Sequence, residues 1–190
     1  MKAKILGAAA LLTALSAAAQ PAGATLIGFD DLTSYFVTNL PIQNPYDGFN
    51  WNNVYVLAGT DEPGTGFQYG VVSPSNEAFG GFGGIAGFSP VSGVFTLNSA
   101  YFTAGDSPQD VTVAGFDSSS IQLDSVTFST TNTGPTLETF NWTGLSSVTF
   151  VGTGGHVVID NLTVNATAGG VPEMSTWAMI LAGFASPHFS

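Results

Sequence analysis

Sugar recognition sets aromatic faces against C–H surfaces, beside amides and carboxylates that fix hydroxyls. Tyr46, Asp47, Asn50, Trp51 and Asn52 put those residue types into one segment. The same segment has a second reading, in which Trp51 and Tyr55 alternate into a core with Phe49 and Leu57. Trp142 has the same two readings, with Phe140 on its face two residues earlier. A different clue lies near the end of the domain. Val158, Asp160, Leu162 and Val164 share one face of a strand by period two. If that face is internal, Asp160 is a buried carboxylate with no Lys or Arg to pair with, which is too costly to leave unmet. The remedies are a strand bulge, backbone N–H donors, protonation or a metal ion. Oxygen-rich sites choose calcium. Asp30 and Asp31, at the end of the first strand, are the candidate co-ligands for a structural Ca²⁺ with Asp160, although no EF-hand spacing is present.

Catalytic patterns are weak. A nucleophile elbow needs Gly-x-Ser-x-Gly, and Gly87-Phe88-Ser89-Pro90-Val91 lacks its second Gly. A Ser-His-Asp triad would have to use His156, whose Gly-Gly-led position suits an edge or solvent-facing site. Glycoside hydrolysis needs two carboxylates about 5–10 Å apart, and the sequence singles out no pair. Gly81-Phe82-Gly83-Gly84-Ile85-Ala86 has the letters of a nucleotide fingerprint. The Phe88-Ser89-Pro90 that follows cannot open the required helix, so this stretch is expected to be a mobile surface loop. The chain therefore reads as no enzyme.

Charge narrows the field further. Lys plus Arg number 2 against 13 Asp plus Glu, and both cations, Lys2 and Lys4, sit at the N-terminus. The rest of the chain has no cation to neutralise phosphate, so nucleic-acid binding is excluded. Zero Cys removes disulfides and thiol chemistry. A hydrophobic content of 44% is too high for disorder, so a packed core is expected.

The elements that must position these residues are strands. Residues 25–165 are rich in Val, Thr, Phe, Gly, Asn and Ser and poor in helix formers, and no segment is a convincing amphipathic helix. Strands are predicted at Leu26–Phe29, Trp51–Leu57, Phe67–Val72, Gly93–Leu97, Asp110–Phe116, Ile121–Thr127, Thr136–Trp142, Ser147–Val151 and His156–Val164. Turn signals such as Glu62-Pro63-Gly64 and Thr133-Gly134-Pro135 separate them. This spacing predicts an all-β domain: an antiparallel β-sandwich, jelly-roll-like, flanked by an N-terminal signal helix and a short C-terminal apolar tail.

The ends read as addresses. Residues 1–24 have the charged start, apolar stretch and Ala22-Gly23-Ala24 cleavage pattern of a signal peptide, with Thr25 as the mature N-terminus. Residues 166–190 form a linker and tail containing Val171-Pro172-Glu173-Met174-Ser175-Thr176-Trp177 followed by an apolar run to Ala185. This motif resembles the PEP-CTERM sorting signal of bacterial surface proteins, with Val171, Pro172, Glu173, Ser175, Thr176 and Trp177 at matching positions. The same kind of tail also carries a name that refers to the C-terminus of an ice-binding protein; that name describes the tail alone. The resemblance implies export, handling by an exosortase-type membrane enzyme, and a bacterium that makes exopolysaccharide or biofilm. Met174 replaces the second Pro of the motif. The run Trp177–Ala185 spans nine residues where a membrane helix needs about 20, and no Arg cluster follows. The tail therefore reads as truncated, with no stable membrane span in this chain.

The domain is also similar to the β-sandwich often placed before such tails and to jelly-roll carbohydrate-binding modules. The shared pieces are Gly28-Phe29-Asp30-Asp31-Leu32, Tyr46-Asp47-Gly48-Phe49-Asn50-Trp51, Phe95-Thr96-Leu97, Phe140-Asn141-Trp142 and Ile159-Asp160-Asn161-Leu162-Thr163. The expectation is a non-catalytic surface or matrix protein contacting exopolysaccharide. The alternatives are a structural biofilm protein without a small ligand and an extracellular glycan hydrolase.

Overall fold

Alternation of apolar and polar residues writes most of the architecture. In a computed structural model, residues 23–33 and 40–165 are described, and they form two antiparallel sheets packed face to face. The predicted signal helix, the sorting motif and the apolar tail lie outside the described residues. The strands are β1 (Thr25–Ile27), β2 (Phe49–Asn52), β3 (Val54–Ala58), β4 (Asn76–Gly80), β5 (Ala86–Pro90), β6 (Phe95–Ala104), β7 (Gln109–Phe116), β8 (Gln122–Thr130), β9 (Thr136–Leu145), β10 (Ser147–Gly152) and β11 (Val157–Val164). One sheet runs β3-β4-β11-β6-β9, with β1 also paired to β11; the other runs β2-β5-β10-β7-β8. From β4 onward the chain crosses between sheets at every connection except the β7–β8 hairpin, which is the jelly-roll manner of avoiding simple hairpin stacking.

The inner faces are apolar and aromatic. Phe49 and Trp51 on β2, Phe88 on β5 and Phe150 on β10 meet Phe95, Leu97 and Phe102 on β6 and Ile159, Leu162 and Val164 on β11. Each such side chain removed from water contributes roughly 1.5–3 kcal/mol. The rings pack edge to face, as Phe49 does on Phe95 at 5.1 Å and on Phe88 at 5.5 Å.

Two departures from the expected strands have local causes. The single strand predicted at Trp51–Leu57 is two strands. Asn53, at φ +53°, turns the chain from one sheet into the other, and its Nδ2 donates to the carbonyls of Gly81 and Ile85 at 3.0 and 3.2 Å. The strand predicted at Phe67–Val72 is instead a short helix, α1 (Gly66–Gly70). Phe67 and Gly70 are buried three apart, while Gln68 and Tyr69 face solvent. Gly66 lies against the carbonyl of Ala104, where any Cβ would overlap it, and donates its N–H to Gly105 at 2.9 Å. The helix and the 3-10 turn Gly59–Asp61 cover the outer side of the first sheet over a second small core of Leu57, Phe67, Phe79 and Val158.

Strands β4 and β5 are additions to the sequence reading. All five residues of β4 are buried, because the inner core lies on one side and the α1 cover on the other, so its sequence shows no alternation. The glycine stretch expected to be a mobile loop ends β4 and, after the 3-10 turn Gly81–Gly83, becomes β5.

Candidate functional site

The sugar-type segment divides by strand parity. Trp51 points inward and is 4% exposed, wedged 5.4 Å from Phe29 and 5.1 Å from Phe88, with its Nε1 donating to the Tyr46 carbonyl at 3.1 Å. The platform reading of Trp51 is thus corrected: alternation on β2 puts its ring in the core, and no face remains for a ligand. Tyr46 is half-buried against Phe29 and Trp51, and its hydroxyl donates to Asp31 Oδ1 at 2.7 Å. Burial and then that bond hold the phenol well above its ordinary range. Asp47, at φ +46°, forms with Gly48 the turn into β2, and partial burial followed by Asp31's charge raises its pKa.

Asn50 and Asn52 point the other way, onto the outer face of the five-stranded sheet. The register places Asn52 beside Gly87 and Gly87 beside Thr149; Asn50 lies beside Ser89. Gly87 has no side chain, and a Cβ there would overlap the carbonyl oxygen of Val148 on β10. The result is a groove of about 180 Å³. Asn50 and Asn52 form one wall, Ser147 and Thr149 the other, and Ile85, 63% exposed, supplies an apolar lip. The hydroxyl surface continues past β10, where Thr112 and Thr127 pair at 2.8 Å and Ser129 donates to Asp110 at 2.6 Å. Each wall amide offers two donors and an acceptor, and each hydroxyl offers both roles. That is the chemistry that fixes sugar hydroxyls. No lining residue is titratable, so the groove holds no general acid or base. Trp142 and Phe140 are half-buried against the main core and stand clear of this groove.

Asp160 is buried, but not in the sandwich interior. A β-bulge follows it, with Asn161 at φ +48°. The bulge breaks period two, so Leu162 and Val164 join the main core while Val158 faces the small core under α1. Asp160 Oδ2 accepts the N–H groups of Val72 and Ser73 at 2.7 and 3.0 Å, and Oδ1 accepts that of Asn161 at 2.6 Å. Burial nevertheless pushes its pKa up to about 6, against the lowering effect of those bonds.

Of the three carboxylates read as calcium candidates, the fold brings Asp30 and Asp160 together beside Ser73 and leaves Asp31 apart. Asp30 accepts from Ser73 Oγ at 2.7 Å and the Asn76 N–H at 3.0 Å, on the Asp160 side, while Asp31 turns away to Tyr46. Among the described residues no group of three or more His, Cys, Asp or Glu side chains is placed to hold a metal ion. A bulge and backbone donors are among the remedies present at Asp160. Sequence reasoning missed Glu77, which is 0% exposed with neither oxygen partnered. Continuing the β4–β11 register by one step sets it beside Asp160. Burial and then Asp160's charge push its pKa up to about 9, so it is protonated at neutral pH. His156 Nδ1 lies 2.9 Å from Asp106 Oδ2, and its ring packs on Phe67 and Phe79, away from the groove. Among the described residues no helix is long and apolar enough to cross a membrane.

No family model and no curated protein matches the chain. Among solved structures it is similar to a DUF4465 family protein from Bacteroides caccae, 12% identical, with a TM-score of 0.57, over 77% of this chain and 100% of that one. It is also similar to a tandem of family 22 carbohydrate-binding modules from Paenibacillus barcinonensis, 16% identical, with a TM-score of 0.46, over 84% of this chain and 50% of that one. A third likeness is to a family 61 carbohydrate-binding module in complex with β-1,4-galactotriose, 12% identical, with a TM-score of 0.38, over 64% and 90% of the two chains. The first likeness shows a shared fold. The two looser ones identify no site here. The class defined by fold is the antiparallel jelly-roll sandwich.

Proposed function

We propose that this chain is an exported, non-catalytic module that holds a polysaccharide strand against the outer face of its five-stranded sheet. The observation that carries the reading is the Gly87 trough, walled by Asn50, Asn52, Ser147 and Thr149 and lipped by Ile85. Amides and hydroxyls at fixed positions meet sugar hydroxyls, and the isoleucine meets a C–H face. The lack of any titratable group in the groove supports binding over turnover. Export rests on the leader at 1–24 and on the PEP-CTERM-like motif at Val171, Pro172 and Glu173. An exosortase-type enzyme is the proposed handler of that motif, and a biofilm exopolysaccharide the proposed ligand source. Affinity electrophoresis of the full chain through gels containing extracted exopolysaccharide tests the binding. Retardation that Asn52→Ala removes supports it, and unretarded migration through every such polymer defeats it. Intact-mass analysis of secreted protein tests the export reading: a product beginning at Thr25 supports it, and a chain retaining Met1 contradicts it.

A further inference from the structure

We infer that the groove takes an uncharged glycan, one sugar ring at a time, and that polyanionic polysaccharides are shut out by the domain's own field. This rests on the glycan reading above and narrows it to a substrate class. The walls and floor, from Asn50 and Asn52 through Gly87 to Ser147 and Thr149, contain no charge of either sign. A uronate or sulfate placed there would lose its water and find no cation in return. The described residues supply none: they contain no Lys or Arg, the chain's two Lys being at positions 2 and 4 in the proposed leader, while every acid except Glu173 lies among them.

The face is flanked by like charge as well. Asp47 sits in the turn that leads into β2, at the Asn50 end of the groove. Asp110, the second residue of β7, lies one strand past β10, where Ser129 of β8 donates to it. A polyanion laid along the groove runs toward the Asp47 carboxylate and over a domain whose described residues hold twelve acids and no Lys or Arg, and the repulsion is felt most at low ionic strength, where screening is weakest. A volume of about 180 Å³ is below the roughly 300 Å³ at which pockets begin to enclose drug-sized ligands, so one ring is seated and the chain leaves at both open ends.

The test uses matched polymers: a neutral galactan and a neutral glucan, and the same two oxidised at C6 to uronic acids. The full secreted chain is run through affinity gels of each, at low and high salt. The expected result is retention by at least one neutral polymer, unchanged by salt and at least tenfold stronger than by its oxidised form at low salt. A Thr149→Lys variant, which adds a cation beside Gly87, is expected to gain salt-sensitive retention by the oxidised form. Equal or stronger retention of the oxidised polymer by the unmodified chain overturns the inference and leaves the glycan reading standing. Retention by neither form of either polymer, together with none on extracted exopolysaccharide, sinks the glycan reading and this inference with it.

Discussion

Replacing Trp51 by Ala separates a core role from a ligand-contact role in one measurement. The indole is 4% exposed and lies within 6.3 Å, ring to ring, of Phe29, Phe49, Phe88 and Tyr46. Removing a buried Trp from such a site costs about 3–5 kcal/mol in lost transfer energy and residual cavity. The Nε1 bond to the Tyr46 carbonyl disappears too, but that oxygen also accepts the Phe49 N–H at 3.0 Å, so no buried acceptor is orphaned. At about 2.1 cal/mol/K per residue, a domain of about 140 residues has an unfolding entropy of roughly 0.3 kcal/mol/K, so the expected fall in Tm is about 10–17 °C. Thermal melts by circular dichroism read it, and affinity electrophoresis below the variant's Tm reads binding. Trp51→Phe, which keeps a ring in the cluster, should lose less than half as much. A fall of under about 3 °C accompanied by loss of retention would refute the packing argument and return Trp51 to the ligand.

Asn52→Ala, on the exposed side of the same strand, should change stability by no more than about 0.5 kcal/mol while weakening glycan retention severalfold, as melts and gels on one sample will show. Gly87→Ala pushes a methyl group into the Val148 carbonyl; chemical denaturation should find it about 1–3 kcal/mol less stable, and a neutral result would mean that β5 and β10 can separate freely. The pH dependence has a definite sign. Glu77 and Asp160 have folded pKa values raised to about 9 and about 6, so the folded state holds protons that the unfolded chain releases earlier. Their contribution is fully present below the ordinary carboxyl range and is lost as pH rises through about 6 and then about 9. Tm should therefore fall between pH 4 and pH 9, and Glu77→Gln should flatten the upper part of that fall; a Tm that rises over the window contradicts the assignment.

Strands with one wet face were legible because alternation survives in their sequence. β8 and β9 read in and out residue by residue; their starts moved by at most one residue, while each runs three residues past its expected end. β4 was invisible because burial on both sides erases the pattern, and Asn76 and Glu77 are poor advertisements for a strand. Phe67–Val72 misled for the opposite reason: Phe67, Tyr69 and Val71 alternate, yet close contact at Gly66 and burial of Gly70 impose a helical turn. In the site, the segment was legible and its facing was only partly so. Parity alone separates Asn50 and Asn52 from Trp51, but which set faces water depends on the opposite sheet. The cost of burying Asp160 could be reasoned from composition, since the domain holds no Lys or Arg. Its remedy could not, because the Val72 and Ser73 amides are 88 and 87 residues away in sequence.

The pairing of β1 with β11 sets Thr25 directly opposite Val164, so the first and last strands of the sandwich leave it from adjacent positions. Tension applied between those ends would open the three-residue β1 ladder one bond at a time, like a zip, and never load its hydrogen bonds together in shear. Tension between a polymer in the groove and the Val164 end follows another route. It enters through β2, β5 and β10 and must cross the aromatic interior to reach β11, which is gripped on one side by the ten-residue β6 and on the other by β4. The domain is thus expected to yield at lower force when pulled end to end than when pulled from the groove to the Val164 end.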